Sequence, residues 1–321
     1  MGEFDLIARY FTRPARRAVM GVGDDCALWQ PQSGMQLAVS SDMLVEGRHF
    51  LSTVSPQRLG HKALAVNLSD LAACGARPLA FTLALSLPRI DEAWLQGFSK
   101  GLLALADQHQ CELIGGDTTQ GPLNICITVF GEVPPGDALM RNGAQPGDDI
   151  YVSGSLGDAR LALEAFRGNI KLNADDFDTA RLRMEQPVPR VSLGLALRGI
   201  ANACIDISDG LIGDLGHLLK ASGVGAVLTT DWVADSEAIS PALHSLTMSK
   251  RLDMALAGGD DYELLFTAAP DQAHAVQEAA DDCDITVTCI GRITSGQGVQ
   301  VMDQHGVPMS RRFVSFDHFS H

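Results

Sequence analysis

The stretch Phe81-Thr82-Leu83-Ala84-Leu85-Ser86-Leu87, with Asp91 and then Leu113-Ile114-Gly115-Gly116-Asp117 after it, decides the fold class. The first run reads as a strand. Asp91 sits where a helix N-cap belongs, and Leu95, Phe98, Leu102 and Leu105 recur at helical spacing behind it, which predicts a helix with a core-facing stripe. Leu113-Ile114 reads as a short strand that delivers Gly115-Gly116-Asp117. Leu123, Ile125, Ile127 and Val129 then alternate with smaller or polar residues, the signature of a half-buried strand.

The same rhythm extends both ways. Upstream, Leu37 to Ser40 reads as a strand with Asp42 after it. Ser55-Pro56 reads as an N-cap with Pro at the first helical position, and that helix runs to about Cys74 and closes at Gly75. Asp70 falls within it, on the face of Val66 and Asn67. Downstream, the strands are Ile150 to Ser153, Ala203 to Ser208 and Tyr262 to Thr267. Gly154 to Gly157 opens one helix, and Asp209-Gly210 opens another over Leu211 to Lys220. Strands alternating with helices give an α/β or α+β protein. The turn-rich Val133-Pro134-Pro135-Gly136 and Gln145-Pro146-Gly147-Asp148 divide it into two domains, 1–137 and 148–321.

Aspartate beside glycine is the recurrent chemical feature. Gly21 to Asp25 reads Gly-Val-Gly-Asp-Asp, Ser40 to Asp42 Ser-Ser-Asp, Gly115 to Thr119 Gly-Gly-Asp-Thr-Thr, Asp206 to Gly210 Asp-Ile-Ser-Asp-Gly, and Gly258 to Glu263 Gly-Gly-Asp-Asp-Tyr-Glu. Carboxylates gathered without Lys or Arg repel one another and need a cation to remain ionised. Hard oxygen donors select Mg²⁺ or Ca²⁺, and Mg²⁺ on one or two carboxylates is the common partner of nucleotide phosphates. The pattern therefore points to a magnesium-dependent phosphate enzyme. Singly, each such aspartate is as readily a cap or turn residue. Asp91 is assigned to capping. Asp209, before Gly210 and a helix, fits a cap or a ligand equally. Asp70 is the clearest ligand candidate, because a mid-helix aspartate among Ala, Leu and Val caps nothing.

Composition narrows the class. A formal charge of −15 argues against a nucleic-acid binder, which would carry a basic stripe. The seven cysteines are scattered singly with no C-x-x-C pair, as expected of thiols in a reducing cytosol, so a cytoplasmic location is expected. No signal-peptide pattern stands at Met1 to Tyr10, and no run reaches membrane-spanning length. P-loop, protein-kinase, nucleophile-elbow and H-E-x-x-H motifs are missing. Gly154-Ser155-Leu156-Gly157-Asp158 follows a strand and opens a helix, where backbone N–H groups can hold a phosphate, although plain turn chemistry is the commoner use. The pair Asp281-Asp282 reads as a solvated loop.

Taken together, the motifs resemble the thiamine-monophosphate kinase family. The segments are Gly21 to Ala27, Ser41 to Phe50, Lys62 to Ala76, Gly115 to Pro122, Ile205 to Leu211, Gly258 to Thr267 and the terminal Phe316-Asp317-His318-Phe319, in unbroken order from Gly2 to Phe319. Gly-Gly-Asp is shared with the wider superfamily of aminoimidazole-ribonucleotide synthetases, whereas Val-Glu-Gly-x-His-Phe and Gly-Gly-x-Asp-Tyr-Glu-Leu are more specific. The resemblance implies an N-terminal α/β domain that dimerises through its sheet, a C-terminal α/β domain, and an ATP site in the cleft. It implies a magnesium shell of Asp25, Ser40, Ser41, Asp42, Asp70 and Asp117, joined by Asp206 and Asp209. Asp42, Asp70 and Asp206 are expected to carry catalysis. Gly116, Asp117, Arg141 and Ser208 are expected at ATP, and His49, Asp260, Glu263 and Phe316 at thiamine phosphate. Two positions depart from the family: Ser41 stands where threonine is common, and Asp260, one methylene shorter, where glutamate is usual, so its contact can pass to Glu263 or a water. Without the resemblance, His49 reads as a partly buried structural histidine and Arg141 as a surface cation.

The reaction implied is transfer of a phosphoryl group from ATP to thiamine monophosphate. The acceptor is a phosphate, whose second pKa near 6 leaves it ionised at neutral pH, so no strong general base is required. The obstacle is repulsion between two polyanions, which several Mg²⁺ ions relieve while aligning an in-line transfer. The resemblance leads to the expectation that Phe316 stacks on the cationic thiazolium, with Asp260 or Glu263 balancing its charge. The competing expectations are a superfamily enzyme with another acceptor, a non-catalytic nucleotide or metal sensor, and a structural dimer with incidental acidic turns.

Overall fold

The computed structural model describes residues 2–234 and 236–316. Its contacts divide the chain into two compact units, one of Met1–Leu71 with Ala76–Gly136 and one of Ala72–Gly75 with Asp137–His321. The α/β class expected from the sequence is present in both.

The first unit contains α1 (Glu3–Tyr10), β1 (Gln36–Val45), α2 (Pro56–Ala73), β2 (Arg77–Leu87), α3 (Glu92–Gln108), β3 (Glu112–Gln120) and β4 (Asn124–Val133). The four strands order as β1-β4-β2-β3, with β2 and β3 parallel across α3 and the other pairs antiparallel. Asp91 caps α3 as expected, its Oδ1 accepting from the Trp94 N–H at 3.1 Å. Leu95, Phe98, Leu102 and Leu105 are all buried, so the predicted stripe is core. Ser55 Oγ accepts from the Arg58 N–H at 3.3 Å at the start of α2. At its end the N–H groups of Gly75 and Ala76 return to the carbonyls of Ala72 and Leu71, a Schellman closure.

Two strands run further than the sequence indicated, and both extensions matter. β1 does not stop before Asp42 but passes through it, because Asp42 pairs with Ile127 on β4. Likewise β3 does not end at Ile114; it continues through Gly115, Gly116 and Asp117 beside β2, with a register shift at Phe81/Thr82. Gly116 makes that continuation possible. Its φ is +147°, and a Cβ there would lie 1.8 Å from the Leu83 carbonyl oxygen.

Strand alternation sorts the residues of β1 by face. Ser40, Asp42 and Leu44 share one side. Leu37, Val39, Ser41 and Met43 occupy the other, where Leu37, Val39 and Met43 are 51%, 56% and 53% exposed.

The second unit contains β5 (Asp149–Ser153), α4 (Asp158–Phe166), α5 (Ala174–Glu185), α6 (Val191–Ala196), β6 (Ala203–Asp206), α7 (Leu211–Ser222), β7 (Gly225–Thr229), α8 (Asp231–Ala234), α9 (Met248–Ala257), β8 (Leu264–Ala268), α10 (Ala273–Asp282), β9 (Val287–Thr294) and β10 (Gly298–Met302). The sheet order is β10-β7-β9-β5-β8-β6, antiparallel except between β10 and β7. β6 is fully buried although last in the sheet, because the Cys204 N–H pairs with the Met140 carbonyl and the edge is covered. Asp281 and Asp282 are exposed as expected, but they form the last turn of α10 and not a loop.

Candidate functional site

In the first unit Asp42, Asp70 and Asp117 come from regular elements, and Asp25 from a turn. Asp70, half-buried in α2, accepts a hydrogen bond from Ser40 Oγ at 2.5 Å. One turn earlier Asn67, which carried no expected role, accepts the Asp42 N–H on its Oδ1 at 3.0 Å and donates through Nδ2 to the Ala63 carbonyl. A buried side chain of α2 thus fixes the height of Asp42 on β1, and Ser40, Asp42 and Asp70 meet on one side of the sheet. Ser41 is placed otherwise than expected. Alternation turns its hydroxyl to the opposite face, where it donates to the Ile127 carbonyl at 3.1 Å and lies 3.0 Å from Thr128 Oγ1.

Asp25 and Asp117 are both exposed. They belong to segments that border a small, half-open pocket lined by Ile7 and Phe11 of α1, Val22 of the Gly-Val-Gly turn, Leu83, and Leu113 with Gly115 to Thr118 of β3. His49 is half-buried beyond the end of β1, and its Nδ1 accepts the Val45 N–H at 3.0 Å. An accepting Nδ1 leaves Nε2 as the protonated nitrogen of the neutral ring.

In the second unit the backbone does the gathering. Asp206 ends β6 and is buried. The segment after it is zipped to the glycine turn before β8. The Asp260 N–H donates to the Ser208 carbonyl at 2.8 Å, the Tyr262 N–H to Ile207, and the Ile207 N–H to Glu263. A Cβ on Gly259 would lie 2.4 Å from the Ser208 oxygen, so glycine is needed for this approach. Asp260 and Tyr262 have φ of +75° and +53°, uncommon for a side chain as bulky as tyrosine. Phe316, 47% exposed, donates its N–H to the Asp209 carbonyl at 3.0 Å. Ser208, Asp209, Asp260 and Phe316 therefore lie together at the end of β6. Asp317, His318 and Phe319 of the terminal motif lie outside the described residues.

Two expected residues and one glycine turn are engaged elsewhere. Glu263 is 1% exposed, and both its oxygens are engaged. Arg190 grips it with Nε and Nη2 at 2.6 and 2.5 Å, Arg183 Nη2 adds a bond at 2.6 Å, and Ser153 Oγ donates at 2.6 Å. A buried carboxylate held by two guanidinium groups is an internal brace, not a group open to a ligand. Arg141 is exposed, and its carbonyl accepts from Ser222 Oγ at the far end of α7 from Asp209. The turn Gly154 to Asp158 spends its amides inside the protein. Gly154 donates to Thr286, Leu156 to Ala238, and Gly157 to Asp261 Oδ2.

Asp209 is not the cap of α7. Asp214, from the first turn of that helix, accepts the N–H groups of Ser208, Asp209 and Gly210 on its own Oδ2 at 3.1, 3.1 and 3.0 Å. Burial, reinforced by the neighbouring Asp209, pushes its carboxyl up to about 7 against the pull of those amides. An acid four residues after Gly210 is the signal that marks it. Burial likewise raises the carboxyls of Asp158 and Asp261.

Among the described residues no three His, Cys, Asp or Glu side chains converge as a ready cation site. The donors on β1 and α2 are nonetheless all oxygen, which suits Mg²⁺ that takes most of its ligands from phosphate and water.

Residues 23–133 match the family described as AIR synthase related protein, N-terminal domain, and residues 145–304 its C-terminal domain. Over 324 residues the chain is 44% identical to the thiamine-monophosphate kinase of Salmonella typhimurium, covering 99% of this chain and 98% of that one. The crystal structure of thiamine-monophosphate kinase from Stenotrophomonas maltophilia K279a superimposes with a TM-score of 0.85 at 48% identity, over 95% and 96% of the two chains. The structure of AaThiL complexed with AMPPCP and TMP does so with a TM-score of 0.77 at 29% identity, over 90% and 89%.

Proposed function

The chain belongs to the thiamine-monophosphate kinase family, and on that footing we infer that it phosphorylates thiamine monophosphate with ATP, giving thiamine diphosphate and ADP. The observation that carries the reading is likeness along the whole chain to enzymes of that name, together with a relative that holds AMPPCP and TMP at once.

We assign Mg²⁺ to the acidic residues. Asp42 and Asp70 would hold it in the first unit, with Asp25 and Asp117 from the neighbouring turn and strand; Asp206 and Asp209 would hold it in the second. When bound, the ions neutralise the facing phosphates and polarise the transferred group. The chain's own part is placement. Asn67 sets Asp42, Ser40 orients Asp70 by its hydrogen bond, and Gly116 lets β3 pass without a side chain beside its neighbour. With an ionised phosphate as nucleophile, no residue needs to remove a proton, and positioning supplies the catalysis. On the substrate side, Asp260 and Phe316 stand together beside Ser208 and Asp209, ready for a cationic aromatic ring. With Glu263 enclosed, Asp260 is the acid left for that charge.

We further propose that the protein is a cytoplasmic homodimer, paired through the open sheet face on which Leu37, Val39 and Met43 are exposed. Sedimentation of wild type against Val39→Lys tests this, with a shift to monomer expected. For the activity, purified protein with ATP, Mg²⁺ and thiamine monophosphate should yield thiamine diphosphate on chromatography, and Mg²⁺ removal should stop it. ATP consumption without that product would discard the acceptor.

A further inference from the structure

We propose that Asp214 is a positioning residue for the reaction: by gathering three consecutive backbone N–H groups onto one oxygen it holds the Ser208 and Asp209 side chains in their working places. The inference rests on the functional reading above.

Three successive amides pointing at one spot form a concave anion-binding nest. Here the nest is filled from within, by Oδ2 of a side chain that is 3% exposed. A phosphate therefore has no claim on these amides, and their orientation is set by the fold before any ligand arrives.

The carbonyls of the same residues are taken as well. That of Ser208 accepts from Asp260, that of Asp209 from Phe316, and that of Gly210 from the Asp214 N–H at 3.0 Å and from Ser315 Oγ at 3.4 Å. With amides and carbonyls both committed, the chemistry left to Ser208 and Asp209 is in their side chains. One oxygen thus fixes a loop that also seats Asp260 and Phe316. A displacement of about 1 Å in such a loop is enough to cost roughly 10²-fold in rate.

Two substitutions separate position from charge. Asp214→Asn keeps an acceptor oxygen at the same distance and loses the charge. Asp214→Glu keeps the charge and moves the oxygen outward by a methylene. Asp148→Glu serves as comparator, since Asp148 is another buried carboxylate that accepts from a backbone amide, that of Gln145. Three quantities are measured: hydrogen exchange at Ser208, Asp209 and Gly210, calorimetric affinity for Mg²⁺ with a non-hydrolysable ATP analogue, and kcat and KM.

The expected result is that Asp214→Asn keeps the three amides protected and stays within about three-fold of wild type in affinity and kcat. Asp214→Glu loses that protection, and its kcat falls by ten-fold or more, up to roughly 10²-fold. Asp148→Glu, whatever it costs in thermal stability, leaves kcat within about three-fold. The reverse order of the two Asp214 variants would overturn the proposal, because charge and not position would then govern. Equal losses in Asp148→Glu and Asp214→Glu would also overturn it. Were wild type to make no thiamine diphosphate, the functional reading would fall, while exchange and nucleotide affinity would still decide the role of Asp214.

Discussion

The two units bring acidic residues together by different means. In the first, periodicity does the work: Ser40 and Asp42 alternate onto one face of β1, and Asn67 and Asp70 lie on α2 near them. In the second, irregular backbone does it: three amides close on Asp214, two residues adopt positive φ, and a glycine turn is zipped to the loop after β6. Side chains on regular elements are held by the core beneath them. A loop has no such support, so its place depends on polar groups that reach it from elsewhere.

That contrast predicts how each region fails. Asp42→Ala should leave the fold intact, because β1 keeps its ladder, yet lower kcat/KM by about 10³-fold or more, the scale of a lost metal contact. Steady-state kinetics beside a thermal melt would show it, and an active variant would break the assignment. Glu263→Ala should fail in the opposite way. It leaves two guanidinium groups in the interior without their carboxylate, a loss of about 3–5 kcal/mol that denaturant unfolding would measure. A stable variant with only a raised KM for thiamine phosphate would return Glu263 to the substrate.

These two residues also show what could be read from the chain. Asp70 was legible because an aspartate amid Ala, Leu and Val has no capping duty. Asp91 and the α3 stripe were legible because local rules decide them. The continuation of β1 and β3 was not, since it depends on partners far away in sequence, Ile127 for Asp42 and Leu83 for Gly116. Nor was the enclosure of Glu263. Its partners Arg183 and Arg190 stand 80 and 73 residues away, and nothing local marks them. Ser41 was assigned by family likeness alone, against the alternation that turns it to the other face. The hold of Asp214 on the loop before α7 had a local sign, an acid in the first turn, that competed with the more conspicuous Asp209.

Smaller effects sharpen the second region. Phe316→Ala should raise KM for thiamine monophosphate by up to about ten-fold, the range of a cation–π contact, and change that for ATP less. Equal changes would remove Phe316 from the substrate. Asp261→Asn probes burial. The folded carboxyl of Asp261 lies well above its unfolded value, so the fold favours the protonated form. That contribution is complete below about pH 4 and is lost as pH rises through the folded value, with a slope of at most about 1.4 kcal/mol per pH unit. The asparagine variant, which keeps an acceptor for the Gly157 N–H, should lose less stability than wild type between acid and neutral pH. Parallel curves would show that Asp261 does not titrate in this way.

The most direct test of direct phosphoryl transfer uses ATP labelled in its γ-phosphate, with thiamine monophosphate and Mg²⁺ in a single turnover. The label should appear in the terminal phosphate of thiamine diphosphate in step with ADP, and Asp42→Ala should abolish it. Label released as inorganic phosphate, with thiamine monophosphate recovered unchanged, would contradict direct transfer.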